Sequence, residues 1–123
     1  MEKDSGKPHK KLDVWKNSIE LTVDIYRFTN NFPKEEIYGV TNQMRRAAVS
    51  IPSNIAEGAA RQTKKEFINF LHIAQGSLSE LDTQLIITKR LDFISDKIYT
   101  EMADKIETIS KMITGLIKSL KCE

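Results

Sequence analysis

The chain has one cysteine, Cys122, so no internal disulfide can brace it, and a reducing cytoplasm suits it. Cys122 with only two histidines, His9 and His72, cannot assemble a metal site, and no cofactor is expected. No apolar run approaches the roughly 20 residues that span a bilayer. Residues 1–11 are polar where a secretory signal needs an apolar core. A glycine-rich phosphate loop with its Lys and Ser/Thr is missing, as are the Glu-x-x-His pairs of a di-iron bundle. With two histidines, no nucleophile, base and oxyanion donor stand together, so the chain does not read as an enzyme. Charge of one sign is lacking too. The 19 basic and 17 acidic residues leave a net +2, and bulk charge announces no nucleic-acid partner. Strand pairs, internal repeats and low-complexity segments are absent.

What is present is helical periodicity in a chain of 123 residues, enough for one domain with a core and too short for two. Residues 1–11 carry lysines without apolar spacing and read as a mobile tail. Leu12, Trp15, Ile19, Thr22 and Tyr26 mark the inner face of a first helix, capped near Asp13. Asn30 and Asn31, followed by Phe32-Pro33, end it, and Pro33 opens a short turn before Gly39 releases the chain. Thr41 is the expected N-cap of a second helix, whose core stripe is Val40, Met44, Ala47, Ala48, Ile51 and Ile55. Pro52 lies inside it. A kinked but continuous helix keeps Ile51 and Ile55 on the Met44 face, whereas a break lets that register drift.

Thr63 and Glu66 have the spacing of a capping box that opens a third helix. Phe67, Leu71, Ala74, Leu78, Leu81, Leu85 and Thr88 then alternate in steps of four and three, the seam of a bundle. Gly76 weakens that helix by about 1 kcal/mol against Ala, and its missing side chain lets another helix come close. Ser95 restarts the chain as a fourth helix with Ile98, Met102, Ile106, Ile109, Ile113, Leu116 and Leu120 inward. Short links imply antiparallel neighbours. The fold predicted is all-α, an antiparallel up-down-up-down four-helix bundle over residues 12–121, with helices near 12–31, 41–61, 63–90 and 95–121.

Three further patterns concern function. A second stripe on helix two, Gln43, Arg46, Ser50, Asn54 and Glu57, is short and hydrogen-bond-capable where a solvated face would be rich in Lys and Glu. Helix three carries a matching mixed flank of Phe70, Ile73, Ser77, Glu80, Gln84 and Ile87. Together Gln43, Arg46, Ser50, Asn54, Glu57, Ser77, Glu80 and Gln84 predict a buried polar network that fixes helix register or subunit contact, led by an Arg46–Glu80 pair. A ligand or nucleic-acid site is the sharper alternative. Next, residues 41–65 hold five basic residues against Glu57 alone. Of these, Arg45, Arg61, Lys64 and Lys65 form one candidate cluster, either a solvated turn or a footprint for an RNA or DNA backbone. Lys3, Lys7, Lys10 and Lys11 would add to it. Finally, Val14, Leu21, Ile25 and Phe28 form a second apolar seam on helix one, which predicts self-association; a wide core face is the plainer reading.

Gln43-x-x-Arg46-Ala47-Ala48-x-Ser50-Ile51-x-x-Asn54-Ile55-Ala56-Glu57-Gly58, then Phe67-x-x-Phe70-Leu71-x-x-Ala74-x-Gly76-Ser77-x-x-Glu80-Leu81, resembles the bacterial 23S rRNA intervening sequence proteins. Val14-Trp15-Lys16 and Phe32-Pro33 are similar to that family's first helix and loop. The resemblance implies an up-down-up-down bundle assembled as a ring-like homopentamer. It also implies similarity in fold to the accessory variability determinant of diversity-generating retroelements, a basic pentameric partner of reverse transcriptase and RNA. Fold likeness does not fix function. The expectation is a non-enzymatic, oligomeric, cytoplasmic scaffold that binds RNA, DNA or a nucleic-acid-handling protein. The competing expectation is a purely structural or protein-interaction module.

Overall fold

The computed structural model describes residues 7–122, apart from the side chains of Lys10 and Lys11. Four helices are present: α1 (Asp13–Thr29), α2 (Val40–Ala59), α3 (Lys64–Arg90) and α4 (Asp96–Lys121). Among the described residues there is no strand, and no helix is long and apolar enough to cross a membrane. Each helix packs on the next and α4 returns to α1, while the backbones of the diagonal pairs α1–α3 and α2–α4 stay more than 8 Å apart at Cα. Cross-helix contacts give the directions. Thr22 meets Ala48 while Arg45 meets Thr29, and Asn17 meets Met112 while Lys105 pairs with Asp24. Gln75 meets Thr114 while Lys89 pairs with Asp96. In each case the partner number falls as the helix number rises, so all neighbours are antiparallel.

The caps follow the sequence in α3 and α4. The Thr63 Oγ1 accepts from the Glu66 amide at 3.1 Å and donates to the Glu66 carboxylate at 2.9 Å. Ser95 Oγ accepts from the Ile98 amide at 3.1 Å. Each such cap contributes about 1 kcal/mol. α2 runs unbroken through Pro52 and keeps Met44, Ile51 and Ile55 all buried, as the continuous reading requires. Its start differs from expectation. Gly39 takes the N-cap position, and Thr41 lies inside the first turn, buried. Pro33 does open a short 3₁₀ turn, Lys34–Glu36. Part of the expected tail is structured as well. Pro8–Lys11 form a 3₁₀ turn packed on α1 and α2, with the His9 ring edge-on to Trp15 at 5.1 Å. Residues 1–6, including Lys3, and the Lys10 and Lys11 side chains lie outside what is described.

The main correction is the phase of α1. Its buried face is Val14, Ser18, Leu21, Ile25 and Thr29, not the Leu12–Tyr26 stripe. Leu12 and Trp15 pack on the rim of the core, and Tyr26 is 42% exposed. Two small hydroxyl residues hid this face from a count of apolar positions. Ser18 donates to the Trp15 carbonyl at 2.7 Å and Thr29 to the Ile25 carbonyl at 2.6 Å. Hydroxyls satisfied by their own helix are buried without leaving an unpaired polar group. Val14, Leu21 and Ile25 therefore belong to the subunit core, and the predicted oligomer seam is covered within one chain. Phe28 is half-buried, and Phe32 lies between it and Phe93, with ring centres 5.9 Å from Phe28 and 5.4 Å from Phe93, in an aromatic plug at the end that carries the α1–α2 and α3–α4 links. In α4, Ile117 is buried and Leu116 only partly so, a small drift from the expected seam.

Candidate functional site

The eight-residue polar network resolves into smaller groups. At its centre, half-buried Ser50 of α2 faces buried Ser77 of α3 with oxygens 2.8 Å apart. Asn54 Nδ2 donates to the Ser50 carbonyl at 2.8 Å and to its hydroxyl at 2.9 Å. These three residues tie α2 to α3 within one chain. Gln84 is buried and donates to Glu80 at a long 3.4 Å, leaving its own Oε1 without a partner. Glu57 is exposed and pairs with Arg61 at 2.8 Å, a surface contact of small worth. Gln43 and Arg46 are exposed. No contact joins Arg46 to Glu80, so the leading pair of the predicted network does not form within the chain. The physical reason is phase. Positions 50, 54 and 77 lie at the edge of the α2–α3 contact, whereas 46 and 80 point past that edge into solvent.

The basic cluster also divides. Arg45 lies near the start of α2 and Arg61 two residues past its end at Ala59, so about 20 Å of helix at 1.5 Å per residue stands between them. Arg45 sits at the opposite end and has a structural task. Its Nε donates to Thr29 Oγ1 at 3.0 Å, and its Nη2 donates to Asn30 Oδ1 at 2.9 Å and the Tyr26 carbonyl at 3.4 Å. The guanidinium also lies over the Tyr26 ring, 4.7 Å from its centre. A cation satisfying the last carbonyls of α1 is what a helix C-terminus favours. Arg61 stacks on Phe70 at 4.9 Å as well as pairing with Glu57. Lys64 and Lys65 are exposed in the first turn of α3. The antiparallel register brings the Pro8–Lys11 turn to this same end of α2, so exposed Lys7 and the Arg61–Lys65 side chains share one end of the bundle.

Two clefts stand at the other end. One of about 590 Å³ lies at the α3–α4 link and mixes charges of both signs, with Lys89 3.7 Å from Asp96 and 4.4 Å from the Tyr99 ring centre. The second, about 320 Å³, lies between the end of α1 and the start of α2, among Phe32, Pro33, Lys34, Ile37, Thr41 and Arg45. The sequence reading missed it, although Thr41 and Arg45 at a spacing of four share a helix face. The mixed flank of α3 divides between surface and interior. Ile73 and Ile87 are exposed and Ser77 is buried. Gly76 is exposed with open space around it, so no helix of its own chain uses the approach it allows. Gly58 is the glycine that does admit a neighbour, the backbone of α3 near Phe67 and Phe70.

The family model for the 23S rRNA-intervening sequence protein matches residues 10–115. Among solved structures, a protein of unknown function from the S23 ribosomal protein family of Bacteroides thetaiotaomicron is similar at 29% identity and a TM-score of 0.77. The match covers 85% of this chain and 98% of that one. No curated protein matches the sequence significantly.

Proposed function

The chain belongs to the 23S rRNA-intervening sequence protein family, and from that premise and its outer surface we propose that it is a non-enzymatic, self-assembling scaffold. The observation that carries the reading is the outward stripe of α3. Ile73, Ile87 and Leu91 are 51%, 47% and 54% exposed, and the first two lie two heptads apart on one face with Glu80 midway. Single exposed apolar residues mean little, but a set aligned on one face of α3 forms a stripe suited to burial. Arg46 and Glu80 add complementary charge. They lie on facing flanks of α2 and α3, and neither has an ionic partner among the described residues, which suits contact between two copies. The ring of five implied by the family resemblance is the assembly proposed. Its test is light scattering on the full chain, expected to give five times 14.1 kDa, with Ile73→Glu/Ile87→Glu reducing the mass while helical circular dichroism persists. A wild-type monomer at micromolar concentration overturns it.

A second reading adds nucleic acid, most simply structured RNA, and rests on the end that gathers Lys7, Arg61, Lys64 and Lys65. A ring repeats that end in every subunit, so weak phosphate contacts would act together and fall steeply with salt. Replacing Arg61, Lys64 and Lys65 with Ala is expected to remove RNA binding and flatten the salt slope with assembly intact. Arg45 is left in place because its contacts are structural. If the wild-type chain shows no salt-dependent binding to RNA or DNA at low ionic strength, the scaffold stands as a protein-interaction module alone. The lone thiol suits a reducing compartment, and the scaffold would work in the cytoplasm.

A further inference from the structure

We propose that the cleft between the end of α1 and the start of α2 binds a small organic carboxylate with an apolar body. The site is independent of the assembly face and of the basic turn. Its apolar walls are Phe32, Pro33 and Ile37, and its polar groups are Thr41, Arg45 and Lys34. At about 320 Å³ it sits at the small end of the range that ligand sites occupy, which suits a molecule the size of benzoate.

Three observations point to an anion. Thr41 is 2% exposed, lines the cleft, and its hydroxyl oxygen has no hydrogen-bond partner. Buried hydroxyls normally have one. Threonine in a helix divides between two χ1 rotamers, so this hydroxyl can turn toward an acceptor that fills the cleft. Arg45 bonds only to neutral oxygens, through Nε and Nη2, which leaves its Nη1 amino group unbonded and its charge without a counter-ion. Lys34, exposed at the rim, is likewise without an acidic partner among the described residues, and none of the lining residues is acidic. Glu36 is turned to the Val40 amide at 3.5 Å and is not part of the lining. The cleft also opens on the first turn of α2, where free amides and the helix dipole favour negative charge.

The walls decide the class of anion. Inorganic phosphate would occupy the polar rim and leave Phe32 and Ile37 unused. A planar carboxylate matches an arginine edge, and an attached ring or short chain covers the apolar side. The larger cleft at the α3–α4 link lacks this bias, because two of its lining residues, Asp92 and Asp96, are acidic and Lys89 already faces Asp96.

The test is a titration of the full chain with sodium benzoate, benzamide and sodium phosphate, followed by backbone amide NMR. Benzoate is expected to saturate in the millimolar range, with shifts centred on the Phe32, Ile37, Thr41 and Asn42 amides. Benzamide keeps the ring without the charge, and phosphate keeps the charge without the ring; both should bind at least about tenfold more weakly. Thr41→Val removes only the unpaired hydroxyl and should weaken benzoate roughly five- to tenfold. Ile37→Glu, at an exposed position, should abolish binding without disturbing the fold. Benzamide or phosphate binding as tightly as benzoate overturns the assignment. So does an unchanged affinity in either variant, or the absence of saturable shifts at these amides.

Discussion

Replacing Gly58 with alanine tests the closeness of α2 to α3. A Cβ at position 58 would lie 2.8 Å from Phe70 Cβ, 2.9 Å from Phe67 Cδ1 and 3.3 Å from the Phe67 carbonyl oxygen. Carbon atoms prefer about 3.5–4.0 Å. The Phe67 ring can swing aside, but Phe70 Cβ is one bond from its backbone, so α3 itself must shift. Overpacking of this kind costs about 1–3 kcal/mol. Alanine regains up to about 1 kcal/mol of helix propensity over glycine. The balance is a loss of about 1–2 kcal/mol, or roughly 3–10 °C in Tm for a domain of this length. Gly115→Ala is the control, since nothing lies within 4 Å of a Cβ there. It should instead gain about 0.5–1 kcal/mol. Urea unfolding followed by circular dichroism reads both. A Gly58→Ala chain as stable as the wild type would mean that the two helices have slack, and the packing account of this pair would be wrong.

Arg45→Met removes three hydrogen bonds at the end of α1 and should cost about 1–3 kcal/mol in urea unfolding, with no change in the salt slope of any RNA binding. Leu21→Glu places a carboxylate at a fully buried position and should abolish the helical signal in circular dichroism; a folded monomer would instead restore the seam to the surface. Ser95→Ala removes the cap on α4 and should lower stability by about 1 kcal/mol in the same assay.

The number, order and length of the helices were legible because long apolar stripes and side-chain caps are local signals. α3 shows this best, with its Thr63 cap and its seam from Leu71 to Thr88 falling where spacing placed them. α1 was misread because periodicity rewards large apolar residues. Trp15 and Tyr26 can keep a polar tip at the rim, whereas Ser18 and Thr29 vanish into the core by bonding to their own helix. Arg45 and Arg61 looked like members of one patch because both lie in one basic segment. About 20 Å of α2 stands between them, and only tertiary structure shows that Arg45 closes α1. The Ser50–Asn54–Ser77 contact was visible as a polar stripe, but whether Arg46 and Glu80 joined it depended on a few tens of degrees of helix rotation, below what spacing can resolve. The cleft at Thr41 has no sequence signature, since it arises where a loop, a helix end and a helix start converge.

The α2–α3 pair also explains why assembly should use their outer face rather than another. These two helices make the most extensive contact in the bundle, with Gly58 against Phe67 and Phe70 and Ser50 bonded to Ser77. The contact braces the helix that carries Ile73 and Ile87. Association costs less when the surface is already ordered, so a modest apolar stripe can suffice. α1 and α4 share a smaller contact, bridged at the surface by Lys105 and Asp24 and inside by Asn17 and Met112. A neighbour seated on α1 and α4 would have to order more of its own support. Loosening the α2–α3 pair should therefore weaken self-association even when the outer residues are untouched, and Gly58→Ala should lower the assembled mass at concentrations where Gly115→Ala does not.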